Sequence, residues 1–168
     1  MHRNALKLFQ EYGVPFIERG NLVLEVGPDH NPSSLTQWHA GCWDTVDIND
    51  ASKPTFISTE NALPIGDDVY DVVLSANVIE HVRRPWIWLK ELVRVTRPGG
   101  HVVTICPITW PCHRAPLDCW RIYPDGMATL YEDAGLEMVV CAAKSYDPFP
   151  KWPWRRPVYD TIAVGRKK

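Results

Sequence analysis

The chain has 168 residues and a formal net charge of −2, and 45% of its residues are hydrophobic against 23% charged. These values are typical of a globular domain, so wholesale disorder is excluded, and the slight acidity argues against broad, nonspecific binding to nucleic acid. Five cysteines, an odd and scattered set, favour reduced thiols over a disulfide framework. No signal-peptide core or membrane-span run is present. We therefore expect a cytoplasmic protein with one domain over residues 1–168.

Strands and helices alternate along the chain after a lead-in helix within residues 1–20. Such alternation predicts an α/β fold with a mostly parallel sheet. The predicted strands are Leu22–Val26, Trp43–Ile48, Pro54–Ser58, Val69–Ser75, His101–Cys106, Leu136–Ala142 and Val158–Val164. The predicted helices are Ser33–Ala40, Trp86–Arg97 and Pro124–Ala134, and residues 143–157 form a Trp/Pro/Arg loop between the last two strands.

The first strand ends abruptly at Gly27-Pro28, which is typical of the turn that opens a βαβ unit. Glu25 is unusual in this strand because a carboxylate is costly to bury without a partner. At the carboxyl end of a central strand it would face the crevice where open α/β sheets bind ligands. Asp47 follows Gly27 by about twenty residues, the spacing at which a second-strand carboxylate reaches ribose hydroxyls in Rossmann-like folds.

An ordered set of motifs extends this pattern: Glu25-Val-Gly27, Asp47, Leu63-Pro64, the run from Tyr70 to Val82, and Arg97-Pro-Gly-Gly100. With this set the chain resembles the class I S-adenosylmethionine-dependent methyltransferases, and most closely the type 11 methyltransferase domain. The resemblance covers roughly residues 20 to 142. It implies a Rossmann-like, seven-stranded, mostly parallel sheet with helices on both faces and an antiparallel last strand.

The resemblance also implies S-adenosylmethionine as cofactor, with S-adenosylhomocysteine as product, and assigns roles to residues. Glu25 would accept hydrogen bonds from the cofactor's ammonium group, and Gly27 would let the backbone approach the ligand. Asp47 would bind the two ribose hydroxyls, with Ile48 against the adenine. The remaining residues implied at the cofactor are Pro28, Glu60, Asn61, Ala62, Ser75, Ala76 and Asn77.

The glycine-rich loop departs from the family pattern, because Asp29 and Asn31 stand where further glycines are usual. Both residue types tolerate a left-handed backbone, so the turn can survive. A carboxylate at Asp29 suits a sulfonium cofactor better than a dinucleotide pyrophosphate.

Two histidines, His81 and His113, are the candidate catalytic bases because their intrinsic pKa lies near neutrality. His81 either faces the pocket or packs at a helix start. The segment Pro111–Tyr123 resembles a His…Asp-x-Trp-Arg…Tyr-Pro segment of relatives. It offers substrate-binding candidates in Asp118, Trp120, Arg121 and Tyr123, unless the aromatic residues are core and the charged pair is structural.

No metal is predicted from the sequence. Glu80 and His81 lack a further ligand at convincing spacing, and the set Cys106, Cys112, His113 and Cys119 lacks a paired C-x-x-C. The basic and aromatic stretch Lys151–Pro157 either binds anionic groups or covers one end of the sheet. Either the pocket is open, or this stretch or the second subunit of a homodimer closes it.

The predicted function is methyl transfer from S-adenosylmethionine to a small molecule, with oxygen favoured over nitrogen as the acceptor atom. Membrane and nucleic-acid partners are not expected. Three alternatives stay open: a catalytically silent S-adenosylmethionine-binding module, a nucleic-acid methyltransferase using the Trp/Arg stretch, and an NAD-dependent oxidoreductase.

Overall fold

A single seven-stranded sheet organises the chain in the computed structural model, which describes residues 3–38, 42–146 and 157–168. The strands are β1 Leu22–Val26, β2 Cys42–Asp47, β3 Phe56–Ile57, β4 Tyr70–Ala76, β5 Thr96–Pro107, β6 Leu136–Lys144 and β7 Asp160–Lys167. The helices are α1 Arg3–Leu8, α2 Pro85–Val95 and α3 Pro124–Asp133, with α1 continued by a π-helical turn at Phe9–Gly13 and a 3-10 turn at Val14–Phe16.

The sheet has the strand order β3-β2-β1-β4-β5-β7-β6, and β7 runs antiparallel to both of its neighbours. The other adjacent pairs are parallel. β4 lies at the centre, and all seven of its residues are buried, as a strand covered on both faces requires. The predicted Rossmann-like sheet with an antiparallel last strand is confirmed.

Two apolar layers cover the sheet, one on each face. On one face α2 and α3 contribute Leu89 and Tyr131 to a core that includes Leu24 and Val73. Because side chains alternate along a strand, the neighbouring residues Val23 and Val72 point to the other face. There they pack with Leu8 and Phe9 of the lead-in segment. The prediction of helices on both faces is also confirmed.

The predicted helix at Ser33–Ala40 is a single 3-10 turn, Thr36–Trp38, within the described residues. Polar side chains in this segment bond to nearby backbone: the Leu35 amide donates to Ser33 Oγ, and the Thr36 hydroxyl donates to the Ser33 carbonyl oxygen. Such local bonds compete with the helical ladder. Residues 39–41 lie outside the described part.

The element bounds elsewhere differ by a few residues from those predicted. β5 begins at Thr96, so the predicted stop at Arg97–Gly100 lies within the strand. β6 extends to Lys144, into the predicted loop, and β7 begins at Asp160. Most of the Trp/Pro/Arg loop, residues 147–156, lies outside the described part. Within the described residues, no helix combines the length and the apolar character that crossing a membrane requires.

Candidate active site

The carboxyl ends of β1, β2 and β4 meet at one edge of the sheet. Val26 is paired with Val46 on one side and with Ser75 on the other. The residues that follow these strands therefore lie close together, as expected at the ligand-binding edge of an open α/β sheet.

A cavity of about 260 Å³ opens at this edge. Five of the predicted site residues line it: Gly27, Asp47, Ile48, Glu60 and His81. A neighbouring hollow of about 520 Å³ shares Asp47 and Asn49 with the cavity and is lined by Pro28 and Asp29. Asp47 thus stands between two spaces, and together they are large enough for a nucleoside-sized ligand.

Gly27 is required by the turn that follows β1. Its φ is +73°, which side chains rarely adopt, and a Cβ there would lie 2.4 Å from Val78 Cγ2. Gly27 and Val78 both line the cavity. The glycine therefore lets the β1 turn pack directly against the segment after β4.

Asp47 presents a carboxylate to the cavity from the end of β2. Its Oδ1 accepts hydrogen bonds from the backbone and side-chain amides of Asn49, at 3.2 and 3.1 Å. Its Oδ2 makes no hydrogen bond with the residues that the structure describes. The next residue, Ile48, is 56% exposed, which is high for an isoleucine. A carboxylate beside an uncovered apolar side chain suits the hydroxyls and the flat base of a nucleoside.

Glu25 does not line the cavity. Only 1% of it is exposed, and its two carboxylate oxygens accept hydrogen bonds from Ser33 Oγ at 2.7 Å and Trp43 Nε1 at 3.0 Å. Burial raises the pKa of Glu25 to about 7. In this arrangement Glu25 ties β1 to β2 and to the segment after the turn.

Asp29 and Asn31, which replace the usual glycines, do not use left-handed backbone. Among the described residues, positive φ outside glycine is found at Lys53, Asp68 and Asn77. Asp29 instead accepts hydrogen bonds from the backbone amide and hydroxyl of Ser34, at 3.0 and 2.7 Å. The explanation based on left-handed tolerance is therefore wrong, and side-chain hydrogen bonding shapes this turn.

Glu60 lines the cavity with its carboxylate bonded to Arg83, through the backbone amide at 2.6 Å and the guanidinium at 3.0 Å. This pair links the segment after β3 to the segment after β4. The predicted neighbours Asn61 and Ala62 are exposed and do not line the cavity.

The predicted residues at the end of β4 do not line the cavity. Ser75 and Ala76 are buried, and Asn77 has a φ of 57°. Ser75 Oγ and both polar atoms of the Asn77 amide are buried and have no hydrogen-bond partner among the described residues. Buried polar groups usually have partners, and Asn77 directly precedes Val78, which lines the cavity.

The loop between β5 and α3 is braced by an ion pair. Arg121 donates to both carboxylate oxygens of Asp118, at 2.6 and 2.7 Å, and to the carbonyl oxygens of Trp110, Pro111 and Trp120. These contacts occupy its five N–H donors, so none is left for a substrate anion. The hydrogen bonds from Arg121 hold the pKa of Asp118 well below its ordinary range.

The same loop is bonded to the segment after β4. The backbone amides of Cys119 and Trp120 donate to the Glu80 carbonyl oxygen, and Trp120 Nε1 donates to the Val82 carbonyl oxygen at 2.8 Å. Trp120 packs against the core, whereas Tyr123 is exposed at the start of α3. Leu117, which the sequence analysis did not single out, lines the cavity.

This bonding brings the two predicted bases together with a buried carboxyl group. The rings of His81 and His113 meet edge to face with their centroids 4.9 Å apart. Glu80 Oε1 lies 3.8 Å from His81 Nε2 and 4.0 Å from His113 Nε2. Glu80 is fully buried, and burial raises its pKa to about 8. From the sequence, Glu80 and His81 lacked a further ligand at convincing spacing, and the fold brings His113 to them from a distant loop.

Comparisons with known proteins agree with this geometry. A family model described as a methyltransferase domain matches residues 43–104. A protein of Mycolicibacterium vanbaalenii named an uncharacterized methyltransferase is 40% identical over 93 residues, 52% of this chain and 31% of that protein. The solved structure of an S-adenosylmethionine-dependent methyltransferase from Archaeoglobus fulgidus superposes with a TM-score of 0.73 at 13% identity, covering 96% of this chain and 92% of that one. The domain match, the methyltransferase relatives and the shared fold support a similarity to the class I S-adenosylmethionine-dependent methyltransferases.

Two further findings bear on how far this similarity extends. The matched segments amount to less than a third of the length of the curated relatives. The solved structure of the [4+2]-cyclase SpnF superposes with a TM-score of 0.72 at 12% identity, covering 95% of this chain and 80% of that one. One fold therefore accompanies different reactions, and the geometry of the site is what distinguishes them.

Proposed function

We propose that the chain binds S-adenosylmethionine at the cavity and transfers its methyl group to an oxygen of a small molecule. The observation that carries the proposal is the meeting of Gly27, Asp47 and Ile48 in one cavity at the carboxyl edge of the sheet. Asp47 binds the ribose hydroxyls through charge-assisted hydrogen bonds, and Ile48 covers one face of the adenine. Gly27 leaves space for the ligand beside the turn.

Polar groups near the cavity suit the other end of the cofactor. The Asn77 amide and the Ser75 hydroxyl supply donors and acceptors that are unpaired within the described residues, and Pro28 and Asp29 line the adjoining hollow. The negative charge of Asp29 favours a ligand with ammonium and sulfonium charges over a pyrophosphate. This distinction argues against a nicotinamide dinucleotide.

The acceptor is held on the side of His81 and Leu117, which line the same cavity. S-adenosylmethionine supplies a methyl group already activated by the sulfonium. The acceptor oxygen forms its bond to the methyl carbon as the carbon–sulfur bond breaks, and the sulfur keeps the electron pair. The hydroxyl proton passes to Nε2 of His81 or His113. The loop braced by Arg121 positions His113 and excludes water.

A panel of paired acceptors tests this function. Each hydroxyl compound is matched with its amine analogue, and a trideuteromethyl cofactor marks the product for mass spectrometry. We expect labelled product from hydroxyl compounds, with an equal amount of S-adenosylhomocysteine. Labelling of amines alone would overturn the assignment to oxygen.

A second candidate is a cofactor-binding module without methyl transfer. The same fold in a structure described as a cyclase supports it, as do Asp29 and Asn31 at positions where glycine is usual. Calorimetric binding of S-adenosylhomocysteine without label transfer to any acceptor would favour this function. The predicted anion-binding or nucleic-acid role of the Lys151–Pro157 stretch falls almost entirely outside the described residues.

A further inference from the structure

Three side chains from two separate segments point their potential metal-ligating atoms at one another. Glu80 and His81 follow β4, and His113 comes from the loop after β5. One ligand atom from each lies within 4.8 Å of the others. Two imidazole nitrogens and one carboxylate oxygen form a donor set that is common at catalytic metal centres.

The histidines are already oriented for ligation through Nε2. His81 Nδ1 is hydrogen-bonded to the Leu117 carbonyl oxygen. His113 Nδ1 lies 3.2 Å from the Pro111 carbonyl oxygen and 3.5 Å from Asp118 Oδ2. Because these partners are acceptors, each Nδ1 carries the proton and each Nε2 keeps its lone pair. Metal-ligating histidines are typically held in this way by a carbonyl or carboxylate oxygen.

Glu80 supplies an independent observation. Its side chain is 0% exposed, and neither carboxylate oxygen has a hydrogen-bond partner among the described residues. Leaving a buried carboxyl group without partners is costly, and a cation at this position would remove the cost. The nearby Arg121 does not do so, because its donors go to Asp118 and to backbone carbonyls.

We propose that Glu80, His81 and His113 bind a divalent transition-metal ion. Metal bonds of about 2.1 Å in a tetrahedral site separate the ligand atoms by about 3.4 Å. The separations of Glu80 Oε1 from the two Nε2 atoms are roughly 0.5 Å longer, at 3.8 and 4.0 Å, and all three ligand atoms lie within 4.8 Å of one another, so side-chain rotations have to draw them together. His113 is 36% exposed and lies on a loop, so it has room to rotate. Imidazole with carboxylate suits zinc, iron, cobalt and nickel more than magnesium or calcium.

The ion would keep at least one open coordination position, because three protein ligands do not fill a tetrahedral site. His81 lines the cavity, so an oxygen of the acceptor can reach that position. This step rests on the proposed function. With the ion bound, both Nε2 atoms are occupied, and the ion takes over the base's task by lowering the pKa of the bound hydroxyl.

Direct metal titration tests the site without requiring turnover. The protein is freed of metal with a chelator and titrated with Co²⁺, whose visible absorption reports nitrogen and oxygen ligation, and Zn²⁺ is then added as competitor. We expect one ion per chain. His113→Ala and the isosteric Glu80→Gln should each weaken binding by at least the ~10–100-fold that loss of an outer-shell partner costs. Circular dichroism checks that both variants fold.

His101→Gln is the matched control, since His101 lies within β5 beside Phe16 and lines a different hollow. It should leave the affinity for Co²⁺ unchanged. Absence of stoichiometric binding, or equal affinity in His113→Ala and the parent protein, would overturn the metal site. S-adenosylhomocysteine is titrated separately in the presence of chelator. Loss of that binding would count against the proposed function and not against the metal site.

Discussion

Glu25→Gln should change the pH dependence of stability by an amount that follows from burial of the carboxyl group. In the folded protein the pKa of Glu25 is raised from its ordinary 4.5 to about 7. Between these two values the folded state binds more protons than the unfolded state, so stability falls as pH rises through this interval. The stabilisation is complete below about pH 4.5 and is lost above about pH 7. At 1.36 kcal/mol per unit, the loss is about 3 kcal/mol.

Glutamine has the shape of glutamate and no charge, so the stability of the variant should not fall through this pH interval on account of residue 25. Its oxygen can accept from Trp43 Nε1 and its amide can donate to Ser33 Oγ, in place of the bonds that Glu25 makes. Urea unfolding of both proteins at pH 5 and pH 8, followed by circular dichroism, gives the comparison. The free energy of unfolding of the variant minus that of the parent protein should be about 2–3 kcal/mol larger at pH 8 than at pH 5. A difference that stays constant with pH, or that favours the parent protein at pH 8, would refute the reasoning.

Two other substitutions test the turn and the braced loop. Gly27→Ala should lower stability by about 2–4 kcal/mol, because the new Cβ meets Val78 and the backbone is left-handed. Gly135→Ala, at φ +82° with open space around it, should lose only about 1–2 kcal/mol; equal losses in thermal melts would contradict the role of the contact. Arg121→Lys should lose about 2–4 kcal/mol, because an ammonium group cannot replace the bidentate pair with Asp118. A change below about 0.5 kcal/mol in urea unfolding would show that the brace is dispensable.

The sheet could be predicted from sequence because its signals are local. An apolar run such as β4, ended by polar residues, indicates a buried strand wherever it occurs. The spacing from Gly27 to Asp47 predicted a shared edge because both residues follow adjacent parallel strands, and the structure places them in one cavity. The segment at Ser33 was the exception, since its hydroxyl groups bond locally and leave one 3-10 turn in the described residues.

The contacts within the site could not be predicted in the same way, because they depend on side-chain partners distant in sequence. Glu25 was selected as a cofactor ligand from its position, yet Ser33 and Trp43 occupy its oxygens. Arg121 was selected as a substrate-binding residue, yet its donors are used within its own loop. The approach of His113 to Glu80 depends on backbone bonds from the loop to the segment after β4, and no spacing rule indicates them.

Calorimetric titration of S-adenosylhomocysteine is the most direct test of the claim that this edge of the sheet binds the cofactor. We expect one site per chain, and a loss of about tenfold or more in affinity in Asp47→Ala, since a charge-assisted hydrogen bond contributes about 1.5–3 kcal/mol. Asp50→Ala, an exposed carboxylate in the same segment that does not line the cavity, is the control and should bind as the parent protein does. Absence of heat from the folded parent protein, or equal affinity in Asp47→Ala, would contradict the account.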